Sequence, residues 1–282
     1  MYQPRQANVA PLVDADEDSM LTTDAETAPA RPLGGERFVR TRWPRPTQVR
    51  VSLVVPALNE AQNIGWVLER VPALVDEVIL VDGDSTDDTI AVSRRIRPNI
   101  RVLGQDRPGK GAALRAGFGA AYGDVVVMID ADRSMDPHEI ERFVALIDEG
   151  YDLVKGSRFM HGGGTDDMER IRRLGNGALN GLVNVLFGAR FTDLCYGYAA
   201  LRRSRLDDLA LTSDGFEIET EIVVRALQVG LRIAEVPSFE APRAYGESNL
   251  HTWRDGRRVL RTMLHHRIRN HAEALPVVAH AR

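Results

Sequence analysis

The segment Val125-Val126-Val127-Met128-Ile129-Asp130-Ala131-Asp132 decides the fold, because a continuous apolar run ends in two carboxylates. A short apolar run of this kind is typical of a buried strand in a parallel sheet. Open α/β sheets bind ligands outside the carboxyl ends of their strands, which is where Asp130 and Asp132 would lie. Carboxylates together with substrate phosphates are the usual ligands of Mg²⁺ or Mn²⁺. The segment therefore predicts either a metal–diphosphate site or an acidic loop after a strand.

Three strand–loop–helix units precede this strand. The predicted strands are Val51–Val55, Glu77–Val81 and Ile100–Leu103, and the helices are Ile64–Arg70, a second one ending near Arg97, and Ala112–Tyr122. Ser85 or Thr86 is expected to cap the second helix. Strands that alternate with helices predict an α/β domain with a mostly parallel sheet flanked by helices. Four loops then open at one edge of the sheet.

Two of these loops carry polar groups suited to a nucleotide. The loop 82–88 is acidic and can accept hydrogen bonds from a nucleobase N–H or from ribose hydroxyls. The segment Gly109-Lys110-Gly111 offers a cation and flexible backbone to a phosphate. It lacks the spacing of a phosphate-binding P-loop, so a turn with a solvated lysine is the alternative.

Composition excludes several classes of protein. The chain has 282 residues, a net charge of −4 and a pI near 6.0, whereas a nucleic-acid-binding domain is usually strongly basic. One cysteine, Cys195, excludes a disulfide framework, and no cysteine–histidine spacing indicates zinc. The sequence shows neither a signal peptide nor an apolar run long enough to span a membrane, so we expect a cytoplasmic enzyme.

The ends of the chain differ in composition from its centre. Residues 1–47 lack periodicity and contain the acidic patch 14–18, which predicts a disordered leader that is either a regulatory tail or a solvated extension. Residues 48–250 form the predicted catalytic domain. Residues 251–282 predict a basic amphipathic helix and a tail. That helix either lies on anionic lipid or packs on the domain or on a second subunit.

Several motifs, in order and spacing, resemble the family 2 glycosyltransferases with a GT-A fold. They are Val54–Glu60, Val81–Asp87, Gly109–Leu114 and Asp130–Asp132. Within that family the chain is most similar to the dolichol-phosphate or polyprenyl-phosphate mannosyltransferase branch. The segments that carry this similarity are Gly156–Arg158, Thr192–Tyr198, Gly215–Glu219, Glu235–Pro237 and Arg243–Leu250. Two positions depart from the branch: Ser134 replaces a glutamine, and Asn249 replaces a lysine.

The resemblance implies an inverting, Mg²⁺- or Mn²⁺-dependent transfer of a sugar from a nucleotide sugar of the GDP-mannose or UDP-glucose type. The implied donor-binding residues are Pro56, Ala57, Glu60, Asp82, Asp84, Lys110, Asp130 and Ala131. Asp130 and Asp132 would bind the metal. The implied acceptor is a polyprenyl phosphate, which would place the enzyme peripherally on the inner face of the membrane. Alternatives are a hydroxyl acceptor in polysaccharide or secondary-metabolite synthesis, and a non-catalytic nucleotide-sugar-binding protein.

The residues expected on the acceptor side depend on the acceptor. Arg158, Arg243 and Ser248 would bind it, and the implied catalytic residues are Asp193, Arg158 and Glu217. An anionic phosphate needs no base, whereas a hydroxyl requires a carboxylate such as Asp193, Glu217 or Glu219. A loop at 160–167 is expected to be a mobile flap or a plain surface loop. The arginines at 170, 172 and 173 either bind an anionic acceptor or form a solvated basic face.

Overall fold

The computed structural model describes residues 9–10, 49–168, 170–246 and 252–273. Ser248 and Asn249 lie outside these residues. The strands are β1 (Val9–Ala10), β2 (Val51–Ala57), β3 (Glu77–Asp82), β4 (Arg101–Gly104), β5 (Val125–Met128), β6 (Leu153–Ser157), β7 (Gly164–Thr165), β8 (Ala199–Arg202), β9 (Ile233–Pro237) and β10 (Phe239–Glu240). The helices are α1 (Ile64–Arg70), α2 (Thr89–Ile96), α3 (Lys110–Ala120), α4 (Ile140–Asp148), α5 (Arg170–Phe187), α6 (Leu206–Leu209), α7 (Ile218–Gln228) and α8 (Thr252–Glu273).

The central sheet has eight strands in the order β1-β9-β6-β8-β5-β2-β3-β4. Strand β8 runs antiparallel to β5 and β6, and the other described pairs are parallel. This confirms the prediction of a mostly parallel sheet. Val54 pairs with Met128, so β2 and β5 end at the same edge, directly before Asp130. That edge collects the loops that carry the predicted site.

Both faces of the sheet are covered, as continuous apolar strands require. Leu53 and Val55 point into a core formed with α1 and α4, while Val54 points into a second core formed with α3 and α7. All three side chains are fully buried, and each such burial contributes about 1.5–3 kcal/mol. The two cores fix β2 and β5 rigidly beneath the cleft.

The loops after β2 and β3 are joined to each other, and this corrects the predicted helix cap. Helix α2 begins after Asp88 without a side-chain cap. The Ser85 hydroxyl instead accepts from the backbone N–H of Asn59 at 2.9 Å, and the Asn59 side chain accepts from the backbone N–H of Thr86 at 2.8 Å. Ser85 and Thr86 therefore hold two edge loops together rather than starting a helix.

The ends of the chain are partly described. Val9–Ala10 pairs in parallel with Ile233–Ala234, so the predicted leader contributes an edge strand and is not structureless at these two residues. The rest of residues 1–47 lies outside the described residues. Helix α8 buries Val259 and Met263 against the domain, as the packing alternative predicted. Among the described residues, no helix combines the length and the apolar character that crossing a membrane demands.

Candidate active site

A cleft of about 260 Å³ opens at the carboxyl edge of β2 and β5. The sequence-predicted residues that line it are Pro56, Ala57, Glu60, Lys110, Asp130, Ala131, Asp132, Arg158 and Arg243. They come from five separate segments of the chain. The fold therefore brings together most of the residues that the family resemblance singled out.

Lys110 is the central cation of the cleft. Its Nζ lies 2.6 Å from Asp130 Oδ1 and 2.7 Å from Glu219 Oε1, and its side chain is 10% exposed. Burial alone would lower the pKa of Lys110, but the two carboxylates outweigh burial and raise it. The alternative of a solvated lysine in a turn is therefore wrong.

The glycines on either side of Lys110 serve packing. Gly111 donates its backbone N–H to the Asp214 carbonyl at 2.8 Å, and Gly109 has a φ of +123°. A Cβ on either glycine would overlap the backbone of residues 213–214. Only glycine allows α3 to start this close to the segment before α7, and this approach places Lys110 beside Glu219.

Asp130 and Asp132 form the acidic side of the cleft. Burial raises the pKa of Asp130 to about 6, although Lys110 opposes the rise. Asp132 Oδ1 accepts hydrogen bonds from the Ser134 backbone N–H at 3.0 Å and from the Ser134 hydroxyl at 2.6 Å. The serine that stands where the related branch has glutamine thus orients the carboxylate of one predicted metal ligand.

These two carboxylates fit a divalent cation of the magnesium type. Their ligand atoms are carboxylate oxygens, and both residues line the same cleft. Within the described ranges, no group of three His, Cys, Asp or Glu side chains converges to hold a metal. Asp130 and Asp132 would therefore hold Mg²⁺ or Mn²⁺ jointly with phosphate oxygens of a bound substrate.

Arg243 connects the two sides of the cleft. Its Nη2 lies 2.8 Å from Glu60 Oε1 and 3.4 Å from Asp132 Oδ2. Asn63 donates to the second Glu60 oxygen at 2.6 Å. Burial raises the pKa of Glu60, and Asn63 and Arg243 partly offset this rise. One guanidinium thus neutralises an acid from the loop after β2 and an acid from the predicted metal site.

Arg158 and Asp193 form a buried ion pair. Arg158 Nε and Nη2 lie 2.6 and 2.9 Å from the two Asp193 oxygens, and Nη1 lies 3.0 Å from Glu240 Oε2. Asp193 is fully buried and Arg158 is 4% exposed. A base must reach the acceptor, and both Asp193 oxygens are occupied here. This geometry favours a positioning role for the pair rather than the acid–base and phosphate-binding roles that the sequence suggested.

Three further predicted residues lie outside the cleft lining. Glu217 precedes α7 and accepts from the Gly215 backbone N–H at 3.3 Å, whereas Glu219, two residues later, faces Lys110. Positions two apart on a helix point in nearly opposite directions, which corrects the choice of Glu217. Asp84 is exposed with a φ of +65°, and Asp82 is buried beneath the loop, where it accepts from the Ser85 N–H at 3.0 Å.

The cleft also contains residues that sequence reasoning missed. They include Leu58, Gly83, Gln105, Tyr196, Gly197, Phe216 and Glu240. Gly197 is tightly constrained, because a Cβ there would lie 2.7 Å from Lys110 Nζ and 2.8 Å from Glu219 Oε1. Leu58, Gly83, Tyr196, Gly197 and Phe216 lie within motifs that carried the family resemblance, so those motifs signalled them. Gln105 follows a short strand and gave none.

Comparison with known proteins identifies the family. Residues 52–210, more than half of the chain, match the family described as glycosyl transferase family 2. The chain is a family 2 glycosyltransferase. The glycosyltransferase is 35% identical over 209 residues to the dolichyl-phosphate hexose transferase of Haloferax volcanii, covering 73% of this chain and 89% of that protein. It is 32% identical over 219 residues to the polyprenol monophosphomannose synthase of Mycolicibacterium smegmatis, covering 73% and 82%.

Solved structures establish the same fold. The glycosyltransferase matches Mycobacterium tuberculosis glucosyl-3-phosphoglycerate synthase in complex with Mn²⁺, UDP and phosphoglyceric acid, with a TM-score of 0.64 and 27% identity over 78% of each chain. The same protein in complex with Mg²⁺ and UDP gives a TM-score of 0.61 at 27% identity, covering 77% of this chain and 79% of that one. The predicted GT-A fold is confirmed.

Proposed function

We propose that this glycosyltransferase moves a sugar from a nucleotide sugar to a polyprenyl phosphate and inverts the anomeric carbon. The observation that carries the proposal is that two of the three carboxylates considered as bases are already ion-paired. Glu219, which lines the cleft, pairs with Lys110, and Asp193, which is fully buried, pairs with Arg158. Neither carboxylate is free to take a proton from a hydroxyl, and an anionic phosphate needs no such base. The two polyprenol- and dolichyl-phosphate relatives support this acceptor class.

The donor would lie over the edge of β2 and β5. Pro56, Ala57 and Glu60 would surround its base and ribose, with Asp82 beneath them. Lys110 would contact the diphosphate, near Asp130 and Asp132, which would hold Mg²⁺ or Mn²⁺. A bound divalent cation neutralises charge that develops on the departing nucleoside diphosphate. An acceptor oxygen would attack the anomeric carbon from the face opposite the diphosphate, which inverts its configuration.

The acceptor phosphate would meet cations at the mouth of the cleft. Arg172 lines the cleft, and its side chain is 26% exposed. Its described ion pair, with Asp167, is long at 3.9 Å, so its guanidinium keeps most of its donors for a ligand. Arg243, 21% exposed, is the second cation available from this side. The prediction that the basic start of α5 binds an anionic acceptor is therefore favoured at Arg172.

We also infer peripheral contact with the membrane that would carry this acceptor. Helices α5 and α8 pack against each other, and both expose large apolar side chains. Those side chains are Ile171, Leu174 and Val185 on α5, and Leu260, Leu264 and Ile268 on α8. Arginines lie among them, which suits the interface of an anionic bilayer.

The test is nucleoside-diphosphate release from a panel of UDP- and GDP-sugars with Mg²⁺ or Mn²⁺, each with and without a short-chain polyprenyl phosphate. Release that rises with one donor only when the lipid is present would support the proposal and identify the donor. Metal-dependent release at the same rate with and without the lipid would contradict the proposal.

A hydroxyl acceptor is the second candidate. The structural match to glucosyl-3-phosphoglycerate synthase in complex with phosphoglyceric acid favours it, since that ligand carries a hydroxyl as well as a phosphate. In this case Glu219 would have to release Lys110 before it could act as a base. Adding small hydroxyl acceptors to the same panel separates the two candidates.

A further inference from the structure

Residues 241–246, which we call the Arg243 segment, lie beside the loop that carries Asp132. The backbone N–H of Ala241 donates to the Ser134 carbonyl at 2.9 Å. Arg243 itself lines the cleft, and its Nη2 lies 3.4 Å from Asp132 Oδ2. The contacts that hold this segment therefore also fix the position of a cation in the cleft.

Tyr245 connects the Arg243 segment to α1. Its carbonyl accepts a hydrogen bond from Asn63 Nδ2 at 3.0 Å. The centroid of its ring lies 5.8 Å from the guanidinium carbon of Arg133, and the centroid of the Trp66 ring on α1 lies 5.3 Å from the same carbon. A guanidinium within about 6 Å of a ring centroid is attracted by the negative face of the ring. Arg133 thus contacts one ring of the segment and one ring of α1.

The backbone of Arg133 has a conformation that glycine or asparagine adopts more readily. Its φ is +71°, in the loop between Asp132 and Ser134. A bulky residue in this left-handed region is an outlier, and such outliers persist only where the surrounding structure holds them. The side chain of Arg133 does not line the cleft, so substrate contact does not account for this conformation.

The two rings are the described contacts of the Arg133 side chain. Among the residues that the structure describes, Arg133 forms no ion pair, and its buried Nε has no hydrogen-bond partner. The contacts with Trp66 and Tyr245 are therefore the interactions that can compensate for the backbone conformation. They also join the loop of the predicted metal ligands to the Arg243 segment.

We propose that Arg133 is a positioning residue that holds the Arg243 segment against the cleft. It does so by joining Tyr245 to Trp66, and it acts on the reaction through Arg243 without touching the substrate. The inference rests on the proposed function in one respect, namely that Arg243 is a cation for the acceptor. The contact itself can be tested without any acceptor.

Limited digestion with trypsin tests this contact directly. Arg243 is 21% exposed and paired with Glu60, so trypsin can cleave after it only when the segment leaves the cleft. Such cleavage follows the population of the open form. Arg133→Asn removes the guanidinium and suits the positive φ, so the variant should fold and keep its urea midpoint. We expect cleavage after Arg243, followed by mass spectrometry, to be about fivefold faster, the usual effect of losing a cation–π contact.

Arg70→Asn is the matched control. The Arg70 guanidinium lies 4.3 Å from the centroid of the same Trp66 ring, but it has no ring contact with Tyr245 among the described residues. This variant should be cleaved after Arg243 at the wild-type rate. Arg133→Lys keeps a cation near both rings and should be cleaved more slowly than Arg133→Asn. If Arg133→Asn is cleaved no faster than Arg70→Asn, the proposal is wrong.

A pair of kinetic comparisons tests whether Arg133 acts through Arg243. In the otherwise wild-type enzyme, Arg133→Asn should raise the KM for the acceptor severalfold and leave kcat nearly unchanged. In an Arg243→Gln background the same substitution should raise the KM no further, because residues that act as one unit are not additive. An equal rise in both backgrounds would show that Arg133 does not act through Arg243, and would overturn the proposal.

The proposed function can fail separately. An enzyme that turns over at the same rate with and without polyprenyl phosphate contradicts the proposed acceptor. The trypsin comparison of Arg133→Asn with Arg70→Asn still decides whether Arg133 holds the segment. The kinetic comparison then uses the acceptor that the release panel identifies.

Discussion

At the scale of single residues, the two oxygens of Asp132 have different surroundings. Ser134 holds one of its oxygens, and Arg243 lies 3.4 Å from the other. The hydrogen bonds from Ser134 orient the Asp132 carboxylate and leave its second oxygen available to a metal ion. The effect of changing this residue should therefore appear in catalysis rather than in folding.

We expect Asp132→Asn to lower kcat by about a hundredfold or more, because an amide is a poorer ligand for a hard cation than a carboxylate. The measurement is nucleoside-diphosphate release over a range of Mn²⁺ concentrations. Asp148→Asn is the control, since Asp148 is exposed at the end of α4 and does not line the cleft. Wild-type rates for Asp132→Asn at saturating Mn²⁺ would contradict the metal assignment.

Site residues could be predicted from the sequence where they directly follow a recognisable strand. The apolar run before Asp130 indicated its position at the sheet edge, because the end of a strand is visible in the sequence. The choice between Glu217 and Glu219 could not be made, since it depends on the rotation of α7 about its axis. That rotation is set by packing against α3 and α8 rather than by local sequence.

At the scale of elements, the Arg158–Asp193 pair joins β6 to the segment before β8. Asn176 and the backbone N–H of Arg158 add hydrogen bonds to the same Asp193 carboxylate. Because both partners are buried, removing one charge leaves the other uncompensated in a medium that solvates it poorly.

We expect Asp193→Asn to lower the free energy of unfolding by about 3 kcal/mol, as for other broken buried pairs. Chemical denaturation measures this loss, and the release assay at low temperature measures the residual activity. A catalytic base would behave differently: the variant would keep its stability and lose its rate. That outcome would restore Asp193 to the catalytic role suggested by the sequence.

Glu139 ties the start of α4 to the β9–β10 segment. Ser238 donates its hydroxyl to Glu139, and the backbone N–H of Phe239 lies 3.3 Å from its other oxygen. Burial raises the pKa of Glu139 to about 7, although Arg142 opposes the rise. The folded state thus keeps a proton that the unfolded chain releases near pH 4.5.

The contribution of Glu139 to stability is therefore fully present below pH 4.5 and lost as pH rises through about 7. Glu139→Gln, which carries no charge, should reduce the drop in unfolding free energy between pH 5 and pH 8. The reduction should reach about 3 kcal/mol at most, since a pKa change of one corresponds to about 1.4 kcal/mol. Urea titrations at both pH values check this; equal drops in the two proteins would show that the buried carboxyl does not titrate in this range.

The boundaries of several elements could be predicted from apolar periodicity, and α1 was predicted at its observed limits. The start of α2 could not be predicted in this way. Ser85 and Thr86 resemble helix caps, yet their partner is Asn59, which lies 26 and 27 residues away in the chain. A contact at that separation cannot be read from a local pattern.

At the scale of the whole molecule, α5 and α8 pack against each other and both carry exposed apolar side chains. Val259 and Met263 face inward, and Leu260, Leu264 and Ile268 face outward. One face of α8 thus packs on the domain, as the packing alternative predicted, and the proposed lipid contact would use the exposed face.

We expect the wild-type enzyme to float with anionic liposomes at low salt, and a Leu264→Glu/Ile268→Glu variant to stay in solution. Both side chains are exposed, so the fold should be kept. Tyr122→Glu, at an exposed position after α3, is the control and should float like the wild type. Equal flotation of the double variant would show that this face is not the one in contact with lipid.

The parallel core of the sheet could be predicted because successive βα units leave few topologies open. The complete strand order could not. Strand β8 enters between β5 and β6 in the opposite direction, and β1 pairs with β9 from more than 200 residues away. These pairings depend on which strand edges are left open once the core has formed.

Arg243 lies between Glu60 and Asp132, and this position has a thermodynamic consequence for the order of binding. A divalent cation at Asp132 must displace or repel the guanidinium, so the free enzyme should bind metal weakly. A diphosphate can satisfy both cations at once and removes the competition between them. By linkage, metal then raises donor affinity by the same factor by which donor raises metal affinity. The cleft is therefore expected to fill with donor and metal as a single cooperative unit.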